Sequence, residues 1–366
     1  MDAQSMNPDA SVRILDEVVI ADESPPRHRN FPSTALLRNG DLLVVYGVSA
    51  DHQRTCNGAL VSRRSSDGGK SWSDPHPVLA HPERHYSTTY GMVQIDDGRL
   101  MLHVWEWRFR RPEDGPGLQT LHRHKVIRVL RMFSDDGGLT WNEPQSVAPS
   151  PPFVAFEWTY GRTHELPDGR LMIPLYGPVQ EGTETGDPHR STFSGESWAT
   201  AVGFSSDGGC TFPERSIVAS NPSEHRLCNE TDVLRLRDGR FLAIVRDGKL
   251  PRWSLRSYSA DEGKTWTHYE EVNFKGECPC LVQLRSGAIL CAYRDRDDDR
   301  PGMSVSVSDD DGESWRWVGQ LYSGPNWDCS YPVIIRLPDG RLFCTYYTSF
   351  VDGDCEVRGM WLDDDV

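Results

Sequence analysis

One eight-residue pattern, Ser-x-Asp-x-Gly-x-Thr/Ser-Trp/Phe, recurs five times in this chain and constrains its fold more than any other feature. It reads SSDGGKSW from Ser65, SDDGGLTW from Ser134, SSDGGCTF from Ser205, SADEGKTW from Ser259 and SDDDGESW from Ser308. Five copies require a repeated supersecondary unit. A second set interleaves with the first. Its six members place two turn residues and a glycine between apolar runs, at Gly40, Gly98, Gly169, Gly239, Gly287 and Gly340. Asn-Gly and Asp-Gly between β-rich runs signal hairpins, because both residues of a two-residue turn favour positive φ.

In the first five units the hairpin comes first and the box second. The flanking runs, such as AIVRD, SVSVS and IIRLP, are β-branched and alternating, and no long helical period appears. Each unit therefore reads as a four-stranded meander. The hairpin joins strands one and two, and the box joins strands three and four. Six units over 366 residues are about 61 residues each, the size of a propeller blade with generous loops. The sixth unit lacks a box, and the run from about residue 12 to 21 is expected to supply its outer strand and close the ring. The expectation is an all-β chain, residues 1–366 forming a single six-bladed β-propeller domain of four-stranded antiparallel blades.

Composition narrows the partners. A net charge of −15 argues against nucleic acid and anionic lipid, both of which need a basic field. No apolar stretch approaches the ~18 residues of a membrane span, and no apolar leader opens the chain, so a cytoplasmic protein is expected. Nine cysteines, an odd number scattered through the chain, read as reduced thiols. Cys278 and Cys280 lack zinc-site spacing and read as small buried hydrophobes. The box aspartates Asp67, Asp136, Asp207, Asp261 and Asp310 read as turn-binding rather than catalytic.

The register also locates a candidate site. In such a blade, the start of strand one and the end of strand two meet on the face opposite the hairpins. Counting nine back from each hairpin glycine gives Phe31, Thr89, Tyr160, Glu230, Cys278 and Tyr331. Counting seven forward gives Gly47, Trp105, Tyr176, Arg246, Arg294 and Tyr347. This set is polar, aromatic and basic. The two–three loops of units two and three, roughly residues 106–125 and 177–198, are long enough to cap the same face.

The boxes and six-unit layout resemble the sialidase (neuraminidase) superfamily, the BNR-repeat proteins, over nearly the whole chain. That resemblance implies a six-bladed propeller and a retaining glycosidase. The pair Asn229-Glu230 with Arg246 is similar to the family's glutamate and following arginine. Arg300, in RPGMSVSVSDDDG, is similar to a second family arginine, with Arg294 and Arg296 as competitors. Tyr331, in CSYPVIIRLPDG, resembles the family tyrosine, and Asp51, in GVSADHQRTCNG, the loop acid. The family's first-strand Arg-Ile-Pro is replaced by Arg29-Asn30-Phe31-Pro32, so that Asn30 occupies the arginine position, with Arg29 or Arg27 as substitutes.

The implied substrate is an acidic glycan ending in sialic acid or a related 2-keto acid sugar. Its carboxylate calls for arginine forks at Arg246, Arg300, Arg29 or Arg294, with Asn30, Tyr160 and Trp105 lining the pocket. A carboxylate nucleophile would meet like-charge repulsion. A neutral tyrosine, Tyr331, relieved of its proton by Glu230, avoids it, with Asp51 as acid and base. No metal or organic cofactor is required. Two rivals are a lyase on a uronate-containing glycan, for which His85 and His164 lie near inner strands, and a non-catalytic glycan-binding propeller. The sequence leaves the oligomeric state open.

Overall fold

The computed structural model describes the chain except for residues 1–11, 23–27, 52–56, 89, 110, 112, 114–124, 155, 181–182, 185–192, 195–196, 249–252, 298, 352 and 365–366. It is a six-bladed β-propeller of four-stranded antiparallel blades. Blade one runs His28–Leu36, Leu42–Ser49, Ala59–Ser65 and His76–Leu79. Blades two and three have split inner strands, His85–Ser87 with Val93–Gln94 and Trp158–Thr159 with His164–Glu165. Blade four begins Cys228–Arg235 and Phe241–Asp247, and blade five begins Gly276–Gln283 and Ile289–Asp295. Blade six is Ser330–Arg336, Leu342–Tyr347 and Val357–Leu362, with Ile14–Ala21 as its outer strand. That outer strand pairs antiparallel from Ile14↔Leu362 to Ala21↔Val357. The strand that leads into blade one thereby completes blade six and ties the first and last blades together.

All six hairpins share one geometry, and it differs from the two-residue turn read from the sequence. In the first, the Gly40 N–H donates to the Leu37 carbonyl and the Leu37 N–H to the Asp41 carbonyl. The same two bonds recur around Gly98, Gly169, Gly239, Gly287 and Gly340. Only the glycine has positive φ, between 83° and 103°. This is a three-residue loop, a type I turn closed by a left-handed glycine. The dipeptide marked the hairpin correctly. The turn type differs because the residue before the glycine stays right-handed and points its side chain forward, as Asp97 does to the Arg99 N–H at 3.0 Å.

The boxes are self-contained knots. Ser65 Oγ donates to Asp67 Oδ1 at 2.8 Å and accepts the Gly69 N–H at 2.8 Å. Asp67 also accepts the Ser71 N–H at 3.0 Å and the Ser71 hydroxyl at 2.6 Å. The other four boxes repeat the pattern. The Trp72 ring lies against Phe343 of blade six, with centroids 6.2 Å apart. The carboxylates are spent on their own turns, and the indole ties blade to blade.

Among the described residues no helix is long and apolar enough to cross a membrane. The eight described cysteines are free thiols, of which only Cys210 is exposed.

Candidate active site

The axis-facing side chains owe their direction to a bulge near the start of the inner strand. Pairing with strand two shifts register between Asn30 and Ser33, Cys228 and Thr231, Glu277 and Cys280, and Ser330 and Val333. The residues nine before the glycine, Phe31, Glu230, Cys278 and Tyr331, all fall inside these bulges. Phe31, Cys278 and Tyr331 have φ of 49°, 46° and 50°, a left-handed conformation that non-glycine residues hold only where their surroundings impose it.

Tyr331 donates its hydroxyl to Glu230 Oε1. Glu230 Oε2 accepts from Arg246 Nη1 at 2.7 Å and from the Cys278 N–H at 3.0 Å. Arg246 reaches on to Glu277, with Nη2 to Oε1 at 2.7 Å. Glu277 also pairs with Arg294 at 3.3 Å and with Arg296 at 3.5 Å. Arg294 donates to the Cys329 carbonyl and to the Tyr347 hydroxyl, both at 2.8 Å, and its guanidinium lies 4.9 Å from the Tyr331 ring. Tyr347 in turn donates to Asp328 Oδ1 at 2.8 Å. Around Tyr331 itself, three guanidinium groups face two carboxylates, an excess of one positive charge on a strongly acidic protein.

Titration follows this arrangement. Burial pushes the Tyr331 phenol well above its ordinary range and the charge of Glu230 adds to it, against the pull of Arg294 and Arg246. Burial would raise Glu277, yet Arg246, Arg294 and Arg296 outweigh it and hold the carboxyl below its usual value. Burial likewise works against the Arg246 charge, but Glu230 and Glu277 overcome it and keep the cation firmly protonated. The resting state is thus a neutral phenol hydrogen-bonded to a carboxylate beside fixed cations.

The opposite wall is aromatic. Tyr160 is fully buried, with its ring 6.1 Å from Tyr331 and 6.0 Å from Tyr90. Trp105 packs edge-on against Trp158 at 5.0 Å and Phe156 at 5.5 Å, and Tyr176 stacks on Trp198 at 5.9 Å. Arg162 and Asp232 tie neighbouring inner strands together. Asp232 accepts the Arg162 and Leu281 N–H groups at 2.9 and 2.7 Å, and Arg162 Nε reaches the Tyr90 hydroxyl at 3.0 Å.

The remaining residues singled out from sequence lie as follows. Asn30 is buried, with its Oδ1 where a side chain at Gly47 would stand, only 2.7 Å from a built Cβ. That close approach explains a glycine at the position that carries Arg246 and Arg294 in blades four and five. Arg29 is buried, burial lowers its pKa, and Tyr46, Asp22, Glu356 and Asp354 act against that shift. Arg27 lies outside the described residues. Arg300 does not join the cluster. It pairs with Asp295 at 3.1 Å and Asp297 at 2.7 Å and lies over Trp317 at 5.0 Å. Arg294, with Arg296 beside it, holds the place beside Tyr331. Asp51 sits just past the second strand of blade one, on the face shared by Arg246 and Arg294, its carbonyl accepting from Ser49 Oγ at 2.7 Å. His85 stacks on Trp107 at 4.9 Å, and His164 meets the Val233 carbonyl at 2.8 Å with burial lowering its pKa to about 4. Neither histidine belongs to the cluster.

Sequence reasoning missed Glu277 and Asp328. Glu277 stands ten residues before its hairpin glycine, one off the counted position. Strict alternation would turn it away from the axis, whereas the bulge lets two successive residues serve the site.

A family model described as a BNR repeat-like domain matches residues 115–344. The chain belongs to this family, within the sialidase superfamily. This BNR-repeat protein is 24% identical to a sialidase of Micromonospora viridifaciens over 361 residues, 90% of the chain and 51% of that protein. It thus spans about half the length of that curated relative. Among solved structures, it superposes on a protein of unknown function from Dyadobacter fermentans with a TM-score of 0.82 and 22% identity, covering 97% of this chain and 100% of the other. An intramolecular trans-sialidase from Ruminococcus gnavus gives a TM-score of 0.66 at 14% identity, over 96% and 97% of the two chains.

Proposed function

We propose that this BNR-repeat protein is a sialidase-like retaining exo-glycosidase that removes a terminal 2-keto acid sugar, sialic acid or a close relative, through a tyrosine nucleophile. The observation that carries the reading is the hydrogen bond from the Tyr331 hydroxyl to Glu230 within a nest of arginines. The curated relatives it matches, sialidases of three bacteria, support the same class.

The sugar carboxylate binds to Arg246, Arg294 and Arg296. A guanidinium carries five N–H donors, so cations already paired with Glu230 and Glu277 retain donors for a ligand. The phenol is held neutral by burial, so the nucleophile is made on demand. As the Tyr331 oxygen bonds to the anomeric carbon, its proton passes to Glu230 and the glycosidic bond breaks. Asp51 protonates the departing oxygen. Asp51 then takes a proton from water, whose oxygen attacks the same carbon and releases the tyrosine. Glu230 returns its proton to Tyr331, and two displacements leave the configuration retained. The guanidinium groups offset the charge that would otherwise repel a nucleophile, and the aromatic wall keeps the pocket dry enough for these charges to act strongly.

The test is turnover of an aryl sialoside, followed by mass spectrometry after a slow-reacting fluorinated analogue. The expected result is a glycosyl adduct on the peptide containing Tyr331. Turnover with an adduct elsewhere, or undiminished turnover by Tyr331→Phe, defeats the assignment.

A further inference from the structure

Next to the arginine cluster, three side chains from distant parts of the chain converge on one point. His28 Nε2 lies 3.2 Å from Asp328 Oδ2 and 3.2 Å from Cys355 Sγ, and the three atoms all lie within 4.8 Å of one another. His28 opens the first inner strand, Asp328 precedes the last inner strand, and Cys355 precedes the third strand of blade six. His28 and Cys355 are bridged through the backbone as well, the Arg29 N–H donating to the Cys355 carbonyl at 3.3 Å. The cluster therefore spans the seam where blade one meets blade six.

The Cys355 thiol also has the Gly353 carbonyl at 3.9 Å, so without a metal the contacts at Nε2 amount to one shared hydrogen bond. An imidazole nitrogen offers one N–H or one lone pair, yet a carboxylate oxygen and a sulfur both approach the same Nε2. A cation in their midst satisfies all three. With metal–ligand distances of ~2.0–2.1 Å for nitrogen and oxygen and ~2.3 Å for sulfur, tetrahedral zinc has edges of roughly 3.3–3.6 Å. The two observed separations of 3.2 Å are within a few tenths of that. The donor set of imidazole, carboxylate and thiolate suits a borderline-soft ion and is poor for calcium or magnesium. His28 and Cys355 are 2% and 1% exposed, whereas the Asp328 side chain is 32% exposed, which leaves an entry path on the carboxylate side. Outer support is in place as well. Asp328 Oδ1 is held by the Tyr347 hydroxyl at 2.8 Å, and the Asp328 N–H by Asn326 Oδ1 at 2.8 Å.

We propose that His28, Asp328 and Cys355 form a binding site for a zinc-class divalent cation that latches the propeller seam. The thiol gives up its proton to solvent on binding, and the fourth position is left to water. Because the second oxygen of Asp328 holds Tyr347, which holds Arg294, the latch adjoins the proposed carboxylate clamp without supplying any of its charge. The inference does not rest on the proposed reaction, since its readouts need no substrate.

The experiment titrates the full-length, chelator-treated protein with cobalt(II) alone, then with zinc(II) alone. One equivalent of cobalt is expected to bind, with the visible bands of a four-coordinate ion and a near-ultraviolet thiolate-to-cobalt transition. Zinc displaces it and raises the unfolding temperature. Cys355→Ser is expected to lose the thiolate transition and the zinc-induced thermal shift, and Asp328→Asn to weaken zinc at least tenfold. Cys210→Ser, which alters an exposed thiol, keeps the full signal. His28→Gln carries the same test if Cys355→Ser does not fold. The proposal is overturned if the wild type takes up no stoichiometric metal, or if the transition survives Cys355→Ser or vanishes with Cys210→Ser.

Discussion

Blades two and three and blades four to six use the same backbone frame for opposite purposes. At the positions nine before and seven after the hairpin glycine, blades two and three present the aromatics Tyr160, Trp105 and Tyr176. Blades four to six present Glu230, Arg246, Arg294, Tyr331 and Tyr347, with Cys278 among them. One half is a charged network in which nearly every donor has a named acceptor. The other is a stack of rings that raises the phenol pKa values of Tyr160 and Tyr176 by burial. A propeller of identical blades would place six equal side chains around its axis. Here the repeat supplies the frame, and the departures from the repeat supply the chemistry.

The sharpest way to break this comparison is to exchange one hydroxyl on each side. Tyr331→Phe is expected to lower kcat on an aryl sialoside by roughly 10³-fold or more, since it removes the nucleophile and leaves the packing. Tyr160→Phe deletes a hydroxyl with no hydrogen-bond partner among the described residues. It should change kcat by less than about threefold, because nothing charged depends on it. Equal losses in the two variants would erase the distinction between the halves.

A second large effect concerns stability. Glu277 is 2% exposed and faces Arg246, Arg294 and Arg296. Glu277→Ala strands buried cations and should cost about 3–5 kcal/mol, read from denaturant midpoints. A loss below about 1 kcal/mol would mean that the charged half is no more tightly coupled than a surface network.

Next in size is the contrast between two arginines six residues apart. Arg294→Ala should cost about 2–5 kcal/mol in kcat/KM for a carboxylate-bearing substrate. Arg300→Ala, whose partners Asp295 and Asp297 lie outside the cluster, should cost less than about 1 kcal/mol in the same kcat/KM. The reverse order would restore the arginine that sequence resemblance put first.

That misplacement shows where sequence reading stops. The ring, the blade count and the hairpins were legible because each rests on a short repeated pattern with a local cause. Tyr331, Glu230 and Arg246 were legible because register alone carries them to one face. Arg300 was read from the order of residues before strand three, but Asp295 and Asp297 sit within reach of its guanidinium and hold it. Glu277 and Arg29 hinge on which way a bulged strand turns its side chains, and a one-residue insertion in pairing leaves no mark in the sequence. The convergence of His28 with Asp328 and Cys355 depends on ring closure across 300 and 327 positions, which no local pattern encodes.

The smallest expected effect lies at the rim, in the boxes, where the carboxylates hold turns together. Hydrogen bonds from the Ser71 hydroxyl, and then from its backbone N–H, lower the Asp67 pKa from 3.8 to about 2. The fold therefore favours the charged form, and between these values the unfolded chain binds more protons than the native one. The stabilisation from Asp67 is then fully present above about pH 4 and is lost as pH falls through its folded pKa. Asp67→Asn removes the titrating group while keeping one acceptor oxygen. Denaturant midpoints measured from neutral pH down to about 2 should fall less steeply for the variant than for the wild type, with only a modest difference near neutrality because the group is exposed. Parallel pH profiles would mean that the box holds its turn by shape alone, without help from the charge on its aspartate.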